Sequence, residues 1–167
     1  MEGNTLTIEQ DFTNTANAID SFTRDFVEIY KQLLMRDDKK ASGNLVNSIK
    51  QLDIEFKGNN MSGVISLANY WKYVEYGRRA GKFPPPDKIL KWIEIKPVLP
   101  RPINGIKPTN KQMAFLISRK IARKGIKPGN QFEEALNITW NKHKNNISNA
   151  ISADLDSLID IILFKNI

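Results

Sequence analysis

Apolar residues recur at three- and four-residue spacing from Ile19 through Phe22, Phe26 and Ile29 to Leu33, which predicts an amphipathic helix over residues 17–36. Asp20 in its first turn and Lys31 and Arg36 near its end complement the helix dipole. Ahead of it, Leu6 and Ile8 alternate with Thr5, Thr7 and Glu9, so residues 1–16 read as an extended arm or a short edge strand. The run DDKKASGN ends the helical pattern, and a second short helical piece, Asn44–Lys50, carries Leu45 and Ile49. Strict alternation follows. Leu52, Ile54 and Phe56 interleave with Asp53, Glu55 and Lys57, the pattern of a half-buried strand. A turn at 57–60 returns it as a second strand, Met61–Leu67, in which Gly63 marks a bulge or a close approach.

The stretch ANYWKYVEYGRRAGKFPPP (residues 68–86) fits neither period cleanly. Its first half reads as a strand or as two helical turns, with Tyr73, Val74 and Tyr76 packed under the hairpin and Glu75 pointing outward. Its second half is a loop stiffened by three prolines. Pro86-Asp87 suits the start of a helix over 87–96 that buries Ile89, Leu90, Trp92 and Ile93. Residues 97–108, with four prolines and a glycine, form a loop. Thr109-x-x-Gln112 is a capping box that opens a helix running to Lys124, where Gly125 stops it. Met113, Leu116, Ile117 and Ile121 line one side of that helix. Asn130-x-x-Glu133 starts the last helix, residues 130–164, with an apolar stripe of Phe132, Leu136, Ile147, Ile151, Leu155, Leu158 and Ile162. The expected architecture is α+β: one domain over 17–167, with a small antiparallel sheet covered by helices, a proline-rich insertion at 83–108 and a long C-terminal helix.

Charge sharpens this picture. The chain has 167 residues and a formal charge of +7, unevenly placed. From Lys72 to Lys127 there are 15 Lys and Arg against 3 Asp and Glu, whereas the remainder carries 10 basic and 15 acidic residues. Such a basic middle region suits an acidic partner or a nucleic-acid backbone. Arg119, Lys120, Arg123, Lys124 and Lys127 are the candidate contacts to DNA or an acidic neighbour, and Tyr70, Trp71, Tyr73 and Tyr76 are the rings that could stack on bases.

Catalytic chemistry finds little support. Without cysteine there is no disulfide, thiolate nucleophile or Cys-ligated metal. His143, the single histidine, sits among lysines and asparagines and reads as a surface residue. Asp154, Asp156 and Asp160 read as a solvated face. Gly77-x-x-x-Gly81-Lys82 lacks the spacing and the hydroxyl residue of a phosphate-binding loop. No enzyme activity, metal, cofactor or small-molecule substrate is expected. The N-terminal residues have neither a basic start nor an apolar run, and no window suits a membrane span, so no signal peptide or membrane is expected.

Three ordered segments carry a family likeness. Ser42-Gly43-Asn44-Leu45-Val46-Asn47-Ser48-Ile49 follows the first helix, Tyr70-x-x-Tyr73-Val74-Glu75-Tyr76-Gly77 follows the hairpin, and Arg123-Lys124-Gly125-Ile126-Lys127-Pro128 leads through Phe132 into the last helix. Together they resemble the tail-completion, or head–tail joining, proteins of tailed bacteriophages, over roughly residues 18–160. Two features set this chain apart: Arg78-Arg79 follows Gly77 where members often have Thr-Gly, and the small version of the family lacks the proline-rich insertion. The resemblance implies a structural virion protein that forms a ring, six or twelve copies, in the neck or tail and joins the portal-side assembly to the tail. Its partners would be copies of itself, other neck, tail and portal proteins, and DNA passing through the channel. A ring needs one surface to meet a different surface on the next copy. The candidate pair is an acidic face at Asp37, Asp38, Asp53 and Glu55 and a basic loop at Arg78, Arg79 and Lys82 beside Phe83. The alternative reading is a basic cytoplasmic nucleic-acid-binding protein.

Overall fold

Helix α1 (Thr13–Arg36) begins four residues before the predicted start, so its first turn takes up residues counted with the arm. A computed structural model describes residues 12–37, 43–57, 60–96, 100, 102, 105 and 107–164; the arm residues 1–11, Asp38 and the hairpin turn at 58–59 lie outside the described residues. After α1 come α2 (Asn44–Ser48), β1 (Lys50–Lys57), β2 (Asn60–Ser66), α3 (Trp71–Glu75), α4 (Pro86–Ile95), α5 (Asn110–Lys124) and α6 (Gln131–Phe164). The fold is α+β, with one two-stranded antiparallel sheet and six helices among the described residues. The chain passes through two compact units, each assembled from separate stretches.

The first unit holds α1 as far as Leu33, the hairpin, and α6 from Phe132. Helices α1 and α6 run antiparallel. Phe132 packs edge-on against Phe26 and Tyr30, with ring centroids 4.9 and 5.5 Å apart. Further along, His143 and Trp140 meet Phe22, and Asp154 reaches the first turn of α1. Ala18, Phe26, Val27, Tyr30 and Leu33 bury the inner face of α1. The facing row of α6 is only in part the apolar stripe expected from the sequence. Ala135, Thr139, His143 and Asp154 are the buried positions, while Leu136, Ile151, Leu155 and Ile162 are exposed. Small and polar side chains fill the middle of the contact, while of the expected stripe Phe132 packs on α1 and Ile147 and Leu158 are half-buried.

The hairpin sits on α1 through Gly63. A Cβ added there would lie 3.0–3.1 Å from the Thr23 and Ile19 side chains, so the expected close approach is present. The register also slips between Leu52 and Glu55, opposite Gly63, which makes β1 the bulged strand. That slip turns Leu52 outward and Gln51 inward, where its amide donates to the Asp20 carbonyl at 3.1 Å.

The second unit comprises Leu34–Ser48 and Ala68–Gln131. Leu34, Leu45, Val46, Ile93 and Ala114 form its buried apolar centre, and α4 packs on α5. Trp92 differs from its expected burial and stays partly exposed, because Ile93 occupies the inward position of α4. Pro85 adopts the extended φ −58°, ψ 124° of a polyproline segment before Pro86 opens α4. The capping box is present: the Thr109 hydroxyl accepts from the Gln112 amide at 3.3 Å, and the Gln112 side chain accepts from the Thr109 amide at 2.8 Å. No helix among the described residues is long and apolar enough to cross a membrane.

Candidate functional site

Two glycines, 48 positions apart in the chain, build the candidate site in the second unit. Arg78 and Ile126 form an antiparallel bridge: the Arg78 amide donates to the Ile126 carbonyl at 2.9 Å and the Ile126 amide to the Arg78 carbonyl at 2.7 Å. Each bridge residue is preceded by a glycine with positive φ, +67° at Gly77 and +71° at Gly125. The arrangement is reciprocal. A Cβ on Gly77 would lie 2.2 Å from the Ile126 carbonyl oxygen, and a Cβ on Gly125 would lie 2.2 Å from the Arg78 carbonyl oxygen. Only glycine satisfies both the backbone conformation and the contact at either position.

The seam continues on both sides. The Gly81 amide donates to the Ala122 carbonyl at 2.8 Å, anchoring the loop after Gly77 to the end of α5. On the other side the Gly129 and Asn130 amides donate to the Glu75 carbonyl at 2.8 and 3.3 Å, capping the C-terminus of α3. Residues 70–77 and 123–128, far apart in the chain, are therefore one structural unit. The glycine closing the aromatic segment and the glycine inside Arg123–Pro128 each exist to admit the other's backbone.

This seam brings the two predicted basic groups together. Arg79 and Lys82 on the loop, and Arg119, Lys120, Arg123, Lys124 and Lys127 on α5 and its exit, are all exposed. Arg78 is half-buried, and its guanidinium donates to the Lys82 carbonyl, which holds the loop closed. Phe83 packs on Phe115, with centroids 5.7 Å apart. Phe115 was not singled out by the sequence reading. It is exposed on α5 one turn after Lys111 and one turn before Arg119. An aromatic ring on the charged side of a helical wheel was the available signal.

The aromatic segment is turned over relative to expectation. Glu75 is buried at 3% exposure, whereas Tyr73 and Tyr76 are each 68% exposed. Residues 71–75 form a single helical turn rather than a strand, and Glu75 lies on its inward side, next to the capped end. Tyr70 is also exposed, and burial of its hydroxyl end still pushes its pKa above the ordinary value.

The described members of the predicted acidic face belong to different units. Asp37, in the second unit, accepts from Arg36 at 2.8 and 3.1 Å and from the Gln131 amide at 2.9 Å. On β1 in the first unit, Glu55 pairs with Lys57 at 2.8 Å and Asp53 is exposed.

Comparison with protein-family models, with curated proteins and with solved structures finds no match to this chain.

Two residues read as surface groups are structural in the first unit. His143, only 8% exposed, places Nε2 2.7 Å from Asp25 Oδ2, and Lys142 Nζ lies 2.6 Å from the same oxygen. An ionised carboxylate only accepts, so Nε2 carries the proton. The hydrogen bonds from Lys142 and then His143 hold the Asp25 carboxyl below its ordinary pKa. Asp154 is 2% exposed and caps the start of α1, accepting from the Thr15 amide at 2.7 Å, the Thr15 hydroxyl at 2.6 Å, and the Asn14 amide and side chain at 3.2 and 2.8 Å. Burial pushes its pKa up, but the bonds from Thr15 and Asn14 outweigh this and leave it lowered. Asp156 and Asp160 are exposed. Among the described residues no group of three His, Cys, Asp or Glu side chains is placed to hold a metal ion.

Proposed function

We propose that this chain is a structural ring subunit, six or twelve copies, in the neck or tail of a tailed bacteriophage, where it joins the head and portal assembly to the tail without catalysing a reaction. The observation that supports this most is the reciprocal glycine seam. It gives a physical reason for two segments of the likeness to occur together, and it presents a basic, aromatic-edged surface outward. A surface of that kind serves association through charge and shape. The partners proposed are copies of the chain, neighbouring neck, tail and portal proteins, and DNA in the channel.

The test uses the exposed loop cations. Arg79→Glu with Lys82→Glu leaves the Arg78–Ile126 bridge in place, so the variant is expected to keep the wild-type circular dichroism spectrum and melting temperature. Assembly into a discrete large species, read by light scattering and negative-stain microscopy, is expected to weaken about tenfold or more, since each 1.4 kcal/mol lost is a factor of ten. A variant that assembles like the wild type removes the loop from the interface. A wild-type chain that stays monomeric and is absent from purified virions overturns the ring reading.

The exposure of Tyr73 and Tyr76 beside the basic loop favours a second reading, single-stranded nucleic-acid binding by stacking and phosphate contact. That reading requires an affinity that falls with salt at a log–log slope of about −0.7 per phosphate contacted. Weak, salt-independent binding of an oligonucleotide by the wild-type chain discards it.

A further inference from the structure

Helix α6 continues for ten residues beyond Asp154, the position that meets the first turn of α1. At 1.5 Å per residue this overhang past the described start of α1 is about 15 Å long, with Leu158 and Ile161 half-buried on its other side. Leu155, Ile159, Ile162 and Leu163 lie on one side of it at helical spacing and are exposed, and Phe164 at its end is exposed as well. Asp156 and Asp160, four apart, form a row along one edge of that stripe. The overhang thus presents an apolar line with a negative margin and carries no basic residue from Asn145 to Phe164.

The second unit offers the complementary surface. Phe115 on α5 and Phe83 on the loop before α4 form an exposed pair, with Lys111 one turn before Phe115 and Arg119 and Arg123 one and two turns after it. It is an apolar patch with a positive margin, and its cations fall in a row at the same four-residue spacing as the two aspartates.

We propose that the overhang of α6 in one copy docks on the Phe83–Phe115 patch of a second copy, with Asp156 and Asp160 set against Arg119 and Arg123. This rests on the ring reading above and names its contact. Two overhangs meeting each other would bring four carboxylates together, and two patches would do the same with cations, so like-charge repulsion disfavours symmetric pairing. Knob to patch is a contact between different surfaces. It leaves one free knob and one free patch on every pair, which is what closure into a ring requires.

The experiment uses three full-length variants: Asp156→Lys with Asp160→Lys, Arg119→Glu with Arg123→Glu, and all four changes in one chain. All four positions are exposed or solvent-facing, and circular dichroism checks that each variant is folded. Sedimentation over a concentration series is expected to show each double variant assembling at a midpoint about tenfold or more above the wild type. The four-fold variant, with its charges exchanged, is expected to return to within about threefold of the wild-type midpoint. Double variants that assemble like the wild type overturn the docking and leave the ring reading standing. So does a carboxylate variant that assembles better than the wild type, the signature of overhangs paired with each other, or a four-fold variant no better than the doubles. A wild-type chain that is monomeric at every concentration overturns the docking and the ring reading together.

Discussion

Replacing Gly77 with alanine is expected to destabilise the second unit by about 3 kcal/mol or more, among the larger effects of single substitutions. Two costs combine. A side chain at φ +67° carries about 1–2 kcal/mol of steric penalty. The added Cβ would also stand 2.2 Å from the Ile126 carbonyl oxygen and 2.8 Å from Lys127 C and Pro128 N. These are backbone atoms and cannot rotate aside, so the bridge itself must open. The expected reading is a melting temperature lower by about 10 °C, at roughly 2–4 °C per kcal/mol for a chain of this size. The amides of Arg78 and Ile126 should lose their hydrogen-exchange protection first. Gly125→Ala should do the same through the Arg78 carbonyl. Gly81→Ala is the control: its φ is +135°, but nothing lies within 4 Å of the added carbon. Equal losses at Gly77 and Gly81 would show that conformation alone matters and that the seam contributes nothing.

Removing the Asp154 carboxylate should produce the second large effect. Asp154→Ala deletes four hydrogen bonds at the start of α1, two of them to backbone amides that have no helical partner. An N-terminal cap is worth about 1 kcal/mol and each buried group left unsatisfied costs about 1–3 kcal/mol, so a loss of about 2–4 kcal/mol at pH 7 is expected in urea unfolding. The pH dependence fixes the mechanism. The folded pKa of Asp154 lies below the ordinary value of 3.8, so its ionised form stabilises the fold above that pH. As pH falls through the lowered folded value, this stabilisation is lost, and the gap between wild type and Asp154→Ala should narrow. Asp25, held low by Lys142 and His143, adds to the wild-type loss over the same acid range without narrowing that gap. A gap unchanged between pH 7 and pH 2.5 would mean that Asp154 acts by shape and not by charge.

Much of the local structure followed from near-neighbour patterns. The helical spacing of α1, the Thr109–Gln112 box, the stop at Gly125 and the 34-residue length of α6 are all set by residues within a few positions of one another. The hairpin was equally legible, and Gly63 was recognisable as a tight spot. Periodicity failed where a residue's surroundings come from distant chain. The apolar stripe of α6 reads as its buried face, yet beyond Phe132 the fully buried positions are the small and polar Ala135, Thr139 and His143, while Leu136, Ile151, Leu155 and Ile162 are exposed. His143 looked solvated among lysines because its carboxylate partner is 118 positions away.

Most helices, the hairpin and the strongly basic middle of the chain are readable from residue order alone, because they depend on local backbone preference and on composition; residues 71–75, where neither period dominates, are not. Long-range packing sets the rest: Tyr73 and Tyr76 face outward while Glu75 is buried, Arg79 and Lys82 join the cations of α5 at the seam, and Asp154 caps a helix 139 residues away. The physical reason is that burial and pairing are properties of what a side chain meets. Here the decisive meetings are backbone approaches through Gly77 and Gly125, which leave no period in the sequence.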